Sequence, residues 1–278
     1  MFDFWIILTA CLVAVNCSLL GSFLVLKKLS MVGDALSHSV LPGIVLAFLF
    51  TKTHNSALSL LSASFMGLVS VFVMDFLSKK GAIQKDAALG IVYTLLFSIG
   101  IILISSYAKN ADIDVDCVLF GDIGNIPFVQ SISVLGIGFP SDTLFLIGLC
   151  LIIVLLISFG LKGFVISNFD PMLAGTMGIS IVFWNYLLLG LTSLSTVFSF
   201  NSVGAIMVVS MLVIPEGFAQ VFTKQIKPFL TIAVIFSLLN CIGGYYLAFL
   251  LNVNIVATIS CLMGVCLLIG IVVKKLKF

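Results

Sequence analysis

Apolar runs of about 20 residues follow one another along most of this chain, and each is long enough for a helix to cross a hydrocarbon layer of about 30 Å. Nine such runs are legible, at 4–26, 29–50, 56–77, 87–107, 143–161, 179–200, 203–222, 228–251 and 253–273. Polar and charged positions gather at the seams between them. The pattern predicts an all-α, polytopic membrane bundle of about 8–9 transmembrane helices, residues 1–278 forming a single transmembrane domain with no repeat or hydrophilic linker dividing it. The first run lacks a basic leader segment, carries Asp3 and passes straight into the second, so it reads as a retained helix.

The lysines orient the bundle. With the amino terminus outside and the carboxyl terminus cytoplasmic, Lys27, Lys28, Lys79, Lys80, Lys85, Lys162, Lys224, Lys227, Lys274, Lys275 and Lys277 fall on the cytoplasmic side. Only Lys52 and Lys109 fall outside, and the reverse topology inverts that split.

Two stretches depart from the simple alternation. Residues 108–142 carry Asp112, Asp114, Asp116, Asp122 and Asp142, and their best apolar run, 126–139, is too short and glycine-rich to span. This segment is expected on the outer face with short or re-entrant helices, its aspartates forming either an acidic vestibule that attracts cations or docks a partner, or a solvated loop. An EF-hand is excluded, because Cys117 and Ile123 stand where glycine and glutamate are required. Residues 162–178 form the longest cytoplasmic connection. Within it Asp170 is placed to cap a short helix that starts at Pro171 and stops at Gly178, a helix that either packs against a partner or lies on the lipid interface.

Ionisable residues deep in a bilayer are costly unless paired or facing a cavity, so the few present are candidates for function. In the second run Asp34 and His38 are four residues apart, which puts a carboxylate and an imidazole on one helix face. His38 lies about 15 Å in from the Lys27–Lys28 pair, near mid-bilayer. Pro42 removes the N–H that would bond the His38 carbonyl, and with Gly43 behind it the helix should kink there. One Asp and one His do not fill a transition-metal shell, but a symmetric dimer doubles them to a mixed O/N set suited to zinc, manganese or ferrous iron. A buried hydrogen-bonded pair is the alternative reading of the same two residues. His54, in an outer turn, reads as a solvated loop residue.

Composition narrows the field further. Hydrophobic residues make up 62% of the 278 positions and charged ones 9%, which excludes a soluble enzyme. The net charge of +2 and the absence of arginine offer nothing to nucleic acid. Six of the seven cysteines lie inside apolar runs and none forms a CxxC pair, so they read as packing residues. Neither GxxxxGK[ST], HExxH nor GxSxG occurs, so energy must come from a partner or a gradient, and the chain reads as no enzyme.

GSFLVLKKLSMVGDALSHSVLPGIVLAFLF at 21–50 resembles the signature of the permease subunits of bacterial ABC importers for zinc, manganese and iron. KDAALGIVYTLLFSIGIIL at 85–103, LFGDI at 119–123, FDPMLAGTMGI at 169–179 and VGAIMVVSMLVIP at 203–215 follow in that family's order and spacing. The resemblance implies a homodimeric pore in the bacterial plasma membrane, a pair of cytoplasmic ABC ATPase subunits and an extracytoplasmic metal-binding protein that delivers the ion. It implies transported Zn2+, Mn2+ or Fe2+ and no permanently bound cofactor. Asp34 and His38 match the family's intramembrane metal positions. The segment Asp170, Pro171, Met172, Leu173, Ala174, Gly175 and Gly178 matches its coupling helix, which docks on the ATPase.

The chain departs from the family after Pro215, where PEGFAQ replaces a run of small residues. Glu216, the single glutamate, reads either as a gate together with Pro42 and Gly43 or as a residue facing a wet cavity near the interface. A permease for a metal chelate or vitamin, and a gradient-driven metal carrier, are the competing functional readings. The first would need a wide cavity without paired ion ligands, and the second would need no ATPase and no coupling helix.

Overall fold

The computed structural model describes residues 2–51, 56–81, 83–107, 123–128, 131–134 and 137–277. In chain order these form α1 (Phe2–Leu26), α2 (Val32–Ser39), α3 (Leu41–Thr51), α4 (Ser56–Lys80), α5 (Lys85–Tyr107), a 3-10 helix (Ile123–Phe128), β1 (Ser131–Val134), β2 (Ile137–Pro140), α6 (Ser141–Phe169), α7 (Pro171–Thr176), α8 (Ile181–Phe222), α9 (Ile226–Leu251) and α10 (Ile255–Lys277). Eight helical spans among the described residues are long and apolar enough to cross a membrane. The chain is an all-α membrane bundle, as its hydropathy predicts.

α2 and α3 meet at Val40 as expected of that turn: Pro42 has no N–H to continue the ladder, while Val40 itself keeps helical angles of φ −74° and ψ −29°. Three features differ from the sequence expectation. The sixth and seventh runs continue into each other as α8, broken only at Gly204, whose φ of 76° and ψ of 165° suit glycine alone. The fifth run extends to Phe169, so 162–169 is helix and the connection shortens to a cap, the two-turn α7 and Gly178. Finally, the segment after the 3-10 helix is a hairpin where helices were expected. β1 and β2 are antiparallel, with Ile132 opposite Phe139 and Val134 opposite Ile137. Apolar residues at alternate positions on both sides of a Leu-Gly pair favour a hairpin over a helix. Asp112, Asp114, Asp116, Asp122, His54, Lys52 and Lys109 lie outside the described residues.

α1 is the central helix. Val13, Ala14, Cys17 and Leu20 have no solvent exposure, and its neighbours are α6, α8 and α9. Buried hydroxyls join helices where lipid offers no driving force for apolar packing: Thr9 and Thr143 share a hydrogen bond of 3.0 Å between α1 and α6. At the end of α1 the Tyr245 hydroxyl of α9 donates to Asp3 at 2.8 Å. Outward-facing side chains are apolar, including Phe65 and Phe72 of α4, Ile102 of α5, Phe159 of α6 and Leu250 of α9. A surface of that kind fits hydrocarbon, not water. The 3-10 helix inserts Ile123 and Ile126 into the core against α1 and α8.

Candidate metal site and the lysine-rich end

The short helix α2 carries the ionisable pair. His38 Nε2 lies 3.8 Å from Asp34 Oδ1, and their side chains keep 31% and 45% of their surface accessible, so both still have room to take another partner. The imidazole is held from the α5 side, by Tyr93 at 5.7 Å between ring centroids and by Phe97 edge-on at 5.2 Å. These two aromatics are one helical turn apart and fix the ring without consuming a nitrogen. They were missed in the sequence reading, although their spacing in IVYTLLF offered the signal. Behind the pair, Val32, Ala35 and Leu36 are buried, anchoring α2 in the bundle.

Just after Val40, Pro42 and Gly43 open α3. Gly43 lets α4 approach closely: a methyl group there would lie 2.7 Å from the Ser62 carbonyl oxygen, and the Ser62 hydroxyl donates to the Gly43 carbonyl at 2.8 Å. Ser62 thus ties α3 to α4 through a carbonyl next to the site's own turn. Among the described residues no three His, Cys, Asp or Glu side chains gather in one place. A single copy therefore offers one carboxylate and one imidazole, two donors short of a tetrahedral shell.

Glu216 is not part of this pair. It lies on α8, wholly buried, facing Cys17 and Ser18 of α1. The expectation of a wet cavity near the interface is not met, because none of its surface is accessible. The Ser18 hydroxyl faces the carboxylate, and Ser195 and Ser199 face Cys17; the polar side-chain atoms of all three serines are buried as well.

At the other end of the molecule α7 stands out from the bundle. Asp170 accepts a hydrogen bond from the Leu173 amide at 2.9 Å, Pro171 occupies the first helical position, and Gly178, at φ 72°, closes the helix as Ile179 donates back to the Ala174 carbonyl at 2.9 Å. The cap expected from the sequence is present at both ends. Ala174 is buried against the bundle, whereas Met172 is 87% exposed and Leu173 and Met177 flank it on the surface. Gly175 leaves that face open, since a methyl group there would meet nothing within 4 Å.

The fold and the site together define a polytopic membrane protein with an Asp–His pair on a helix that contains a proline and with a short, exposed apolar helix at one end. The profile of the ABC 3 transport family matches residues 1–274, and the chain belongs to that family as a membrane permease component. It is 38% identical to the manganese transport system membrane protein MntD of Bacillus subtilis, over 99% of this chain and 96% of that relative. Identity to the zinc transport system membrane protein TroD of Treponema pallidum is 34%, over 94% of this chain and 71% of the relative. Among solved structures, PsaBC from Streptococcus pneumoniae, in complex with Fab, superposes with a TM-score of 0.80 at 28% identity, covering all of this chain and 96% of that one.

Proposed function

We propose that the chain is the pore-forming permease of an ATP-driven importer of divalent transition metal ions, manganese or zinc, with ferrous iron as the third candidate. It works as a homodimer, with the amino terminus outside and the carboxyl terminus cytoplasmic. The observation that carries this reading is the Asp34–His38 pair, accessible and 3.8 Å apart on α2 within the membrane bundle. Two copies facing each other supply two carboxylates and two imidazoles, a hard and borderline donor set that suits manganese, zinc and ferrous iron better than copper(I). The relatives named for manganese and zinc transport support the same substrate class.

Transport needs a site that exists in one state and is broken in the other. Separation of the two protomers' pairs achieves this: four ligands hold the ion in one arrangement, and two on each side release it in the next. Pro42 and Gly43 are the gate residues of this scheme, since the backbone hydrogen bond that Pro42 does not make weakens the turn between α2 and α3. ATP hydrolysis belongs to separate cytoplasmic subunits, and α7, with Met172 exposed on it, is the coupling helix that they engage. An extracytoplasmic metal-binding protein delivers the ion.

The test is accumulation of manganese, zinc and iron in cells that express the chain with its ATPase and binding protein, compared with Asp34→Ala and His38→Ala. Uptake of one metal should fall in both variants while the protein still assembles in the membrane. Undiminished uptake of all three would overturn the site.

A further inference from the structure

The lysine-rich end of the bundle encloses a cleft of about 320 Å³ between the ends of α1, α4, α6 and α8 and the start of α5. Its volume is at the lower end of the range for small-ligand sites. Lys27, directly after α1, is half-buried in the wall and donates to the Asn185 side-chain oxygen. Lys85, the first residue of α5, also lines the cleft. Burial, and the like charge of Lys85 close by, push the Lys27 ammonium down to about 8.

Among the described residues the cleft's one carboxylate, Asp75, feels the charge of Lys85 but bonds neither Lys27 nor Lys85. Asp75 already accepts hydrogen bonds from Lys79 and from the Tyr186 hydroxyl, each at 2.7 Å. Among the described residues, no carboxylate comes within salt-bridge distance of Lys27 or Lys85. The Asn168 side chain also lines the cleft, and its amide nitrogen and oxygen are buried without partners. Lys27, Lys28 and Lys85, none of them in a salt bridge among the described residues, therefore face one cleft together with an unsatisfied amide donor. The arrangement lacks an anion.

Depth in the membrane selects which anion. The apolar span of α1 ends at Leu26, that of α4 ends at Lys80, and that of α5 begins at Lys85. The cleft thus sits where hydrocarbon gives way to the phosphate layer, where lysines gain from anionic groups. We propose that the cleft binds a phosphate-bearing anion between the Lys27 and Lys85 ammonium groups, with the Asn168 amide as a neutral donor. The phosphate comes from a phospholipid headgroup or from free phosphate. This site is independent of the transport reading.

The test uses the full-length chain, purified in detergent and stripped of lipid, titrated with phosphatidylglycerol, phosphatidylcholine and inorganic phosphate and read by native mass spectrometry. Lys85→Gln, whose side chain is exposed and whose folding is not in question, should weaken binding about tenfold, the loss of one charge-assisted contact. Lys27→Gln/Lys85→Gln should abolish it, while Lys85→Arg should retain it. Phosphatidylglycerol bound in preference to phosphatidylcholine, and not displaced by phosphate, identifies the headgroup. Phosphate bound with no lipid preference identifies the free anion. Binding of neither above the double variant overturns the proposal. So does an equal loss in Lys224→Gln/Lys227→Gln, which removes the same charge outside the cleft.

Discussion

Gly21 of α1 lies directly against the backbone of Leu212 of α8: a methyl group on Gly21 would collide with the Leu212 carbonyl oxygen and lie 3.0 Å from its carbonyl carbon and Cα. The Leu212 side chain in turn faces Gly33, the residue before Asp34. Two main chains, not flexible side chains, would have to part. Gly21→Ala is therefore expected to destabilise the protein by about 1–3 kcal/mol, the usual cost of overpacking a tight contact. Thermal unfolding in detergent measures this, and an unchanged midpoint would contradict the close approach.

Asp34→Ala and His38→Ala should behave differently. Both side chains are part-exposed, and although His38→Ala gives up the ring contacts with Tyr93 and Phe97, the protein should still assemble. Loss of outer-shell partners of metal ligands costs about 10–100-fold in affinity or activity, and removal of a ligand should cost at least as much. Metal uptake in cells, normalised to protein in the membrane, reads the effect.

Glu216 buries a carboxylate with no cation within salt-bridge distance among the described residues. An unpaired buried polar group is a burden on stability, so Glu216→Met, of similar length, should raise stability by about 1–3 kcal/mol. If Glu216 serves as a gate, the same variant transports less metal while being more stable. A fall in the unfolding midpoint would instead reveal a partner gained on assembly.

On α7 the two substitutions to compare are Asp170→Ala and Met172→Asp. The first removes the cap on Leu173 and should cost about 1 kcal/mol, read as faster amide exchange across 171–176. The second changes a side chain that is 87% exposed and should leave stability within about 0.5 kcal/mol. As the coupling knob, however, Met172→Asp should abolish ATP-dependent uptake. Retained uptake would sink the coupling role.

The Lys27 ammonium carries a sign that can be worked out. Its value in the folded protein, about 8, lies below the ordinary 10.5 because of burial and Lys85. Below pH 8 both folded and unfolded chains hold the proton and the burial penalty is full. Between about 8 and 10.5 the unfolded chain binds the extra proton, so this group makes stability rise with pH. The wild type should therefore gain on Lys27→Met across that window, with Lys85, Asp75, Lys79 and Tyr186 unchanged in both. Parallel unfolding curves would contradict the burial of Lys27.

Much of this was legible in one dimension, for a local reason. Spans are read from uninterrupted apolar runs, the α7 cap needs only Asp170, Pro171 and Gly178 within one short segment, and the Asp34–His38 pair needs only the helical repeat. The turn at Val40 follows from Pro42 in the same way. The hairpin was hidden because its alternation lies inside a short apolar stretch that reads equally as a helix.

Burial and partnership were decided only in three dimensions. A helix in lipid is apolar on the side facing the core and on the side facing hydrocarbon alike, so hydrophobic periodicity does not point inward as it does in water. Nothing in PEGFAQ distinguishes a Glu216 facing a wet cavity from one sealed against Cys17 and Ser18. Lys27 and Lys85 are separated by three helices in the chain and meet only when the bundle closes, as do His38 with Tyr93 and Phe97. The sequence alone determined which segments cross the membrane and which chemistry they carry, because both are written in contiguous residues. Tertiary packing alone decided which of those groups are sealed, exposed or left facing a like charge.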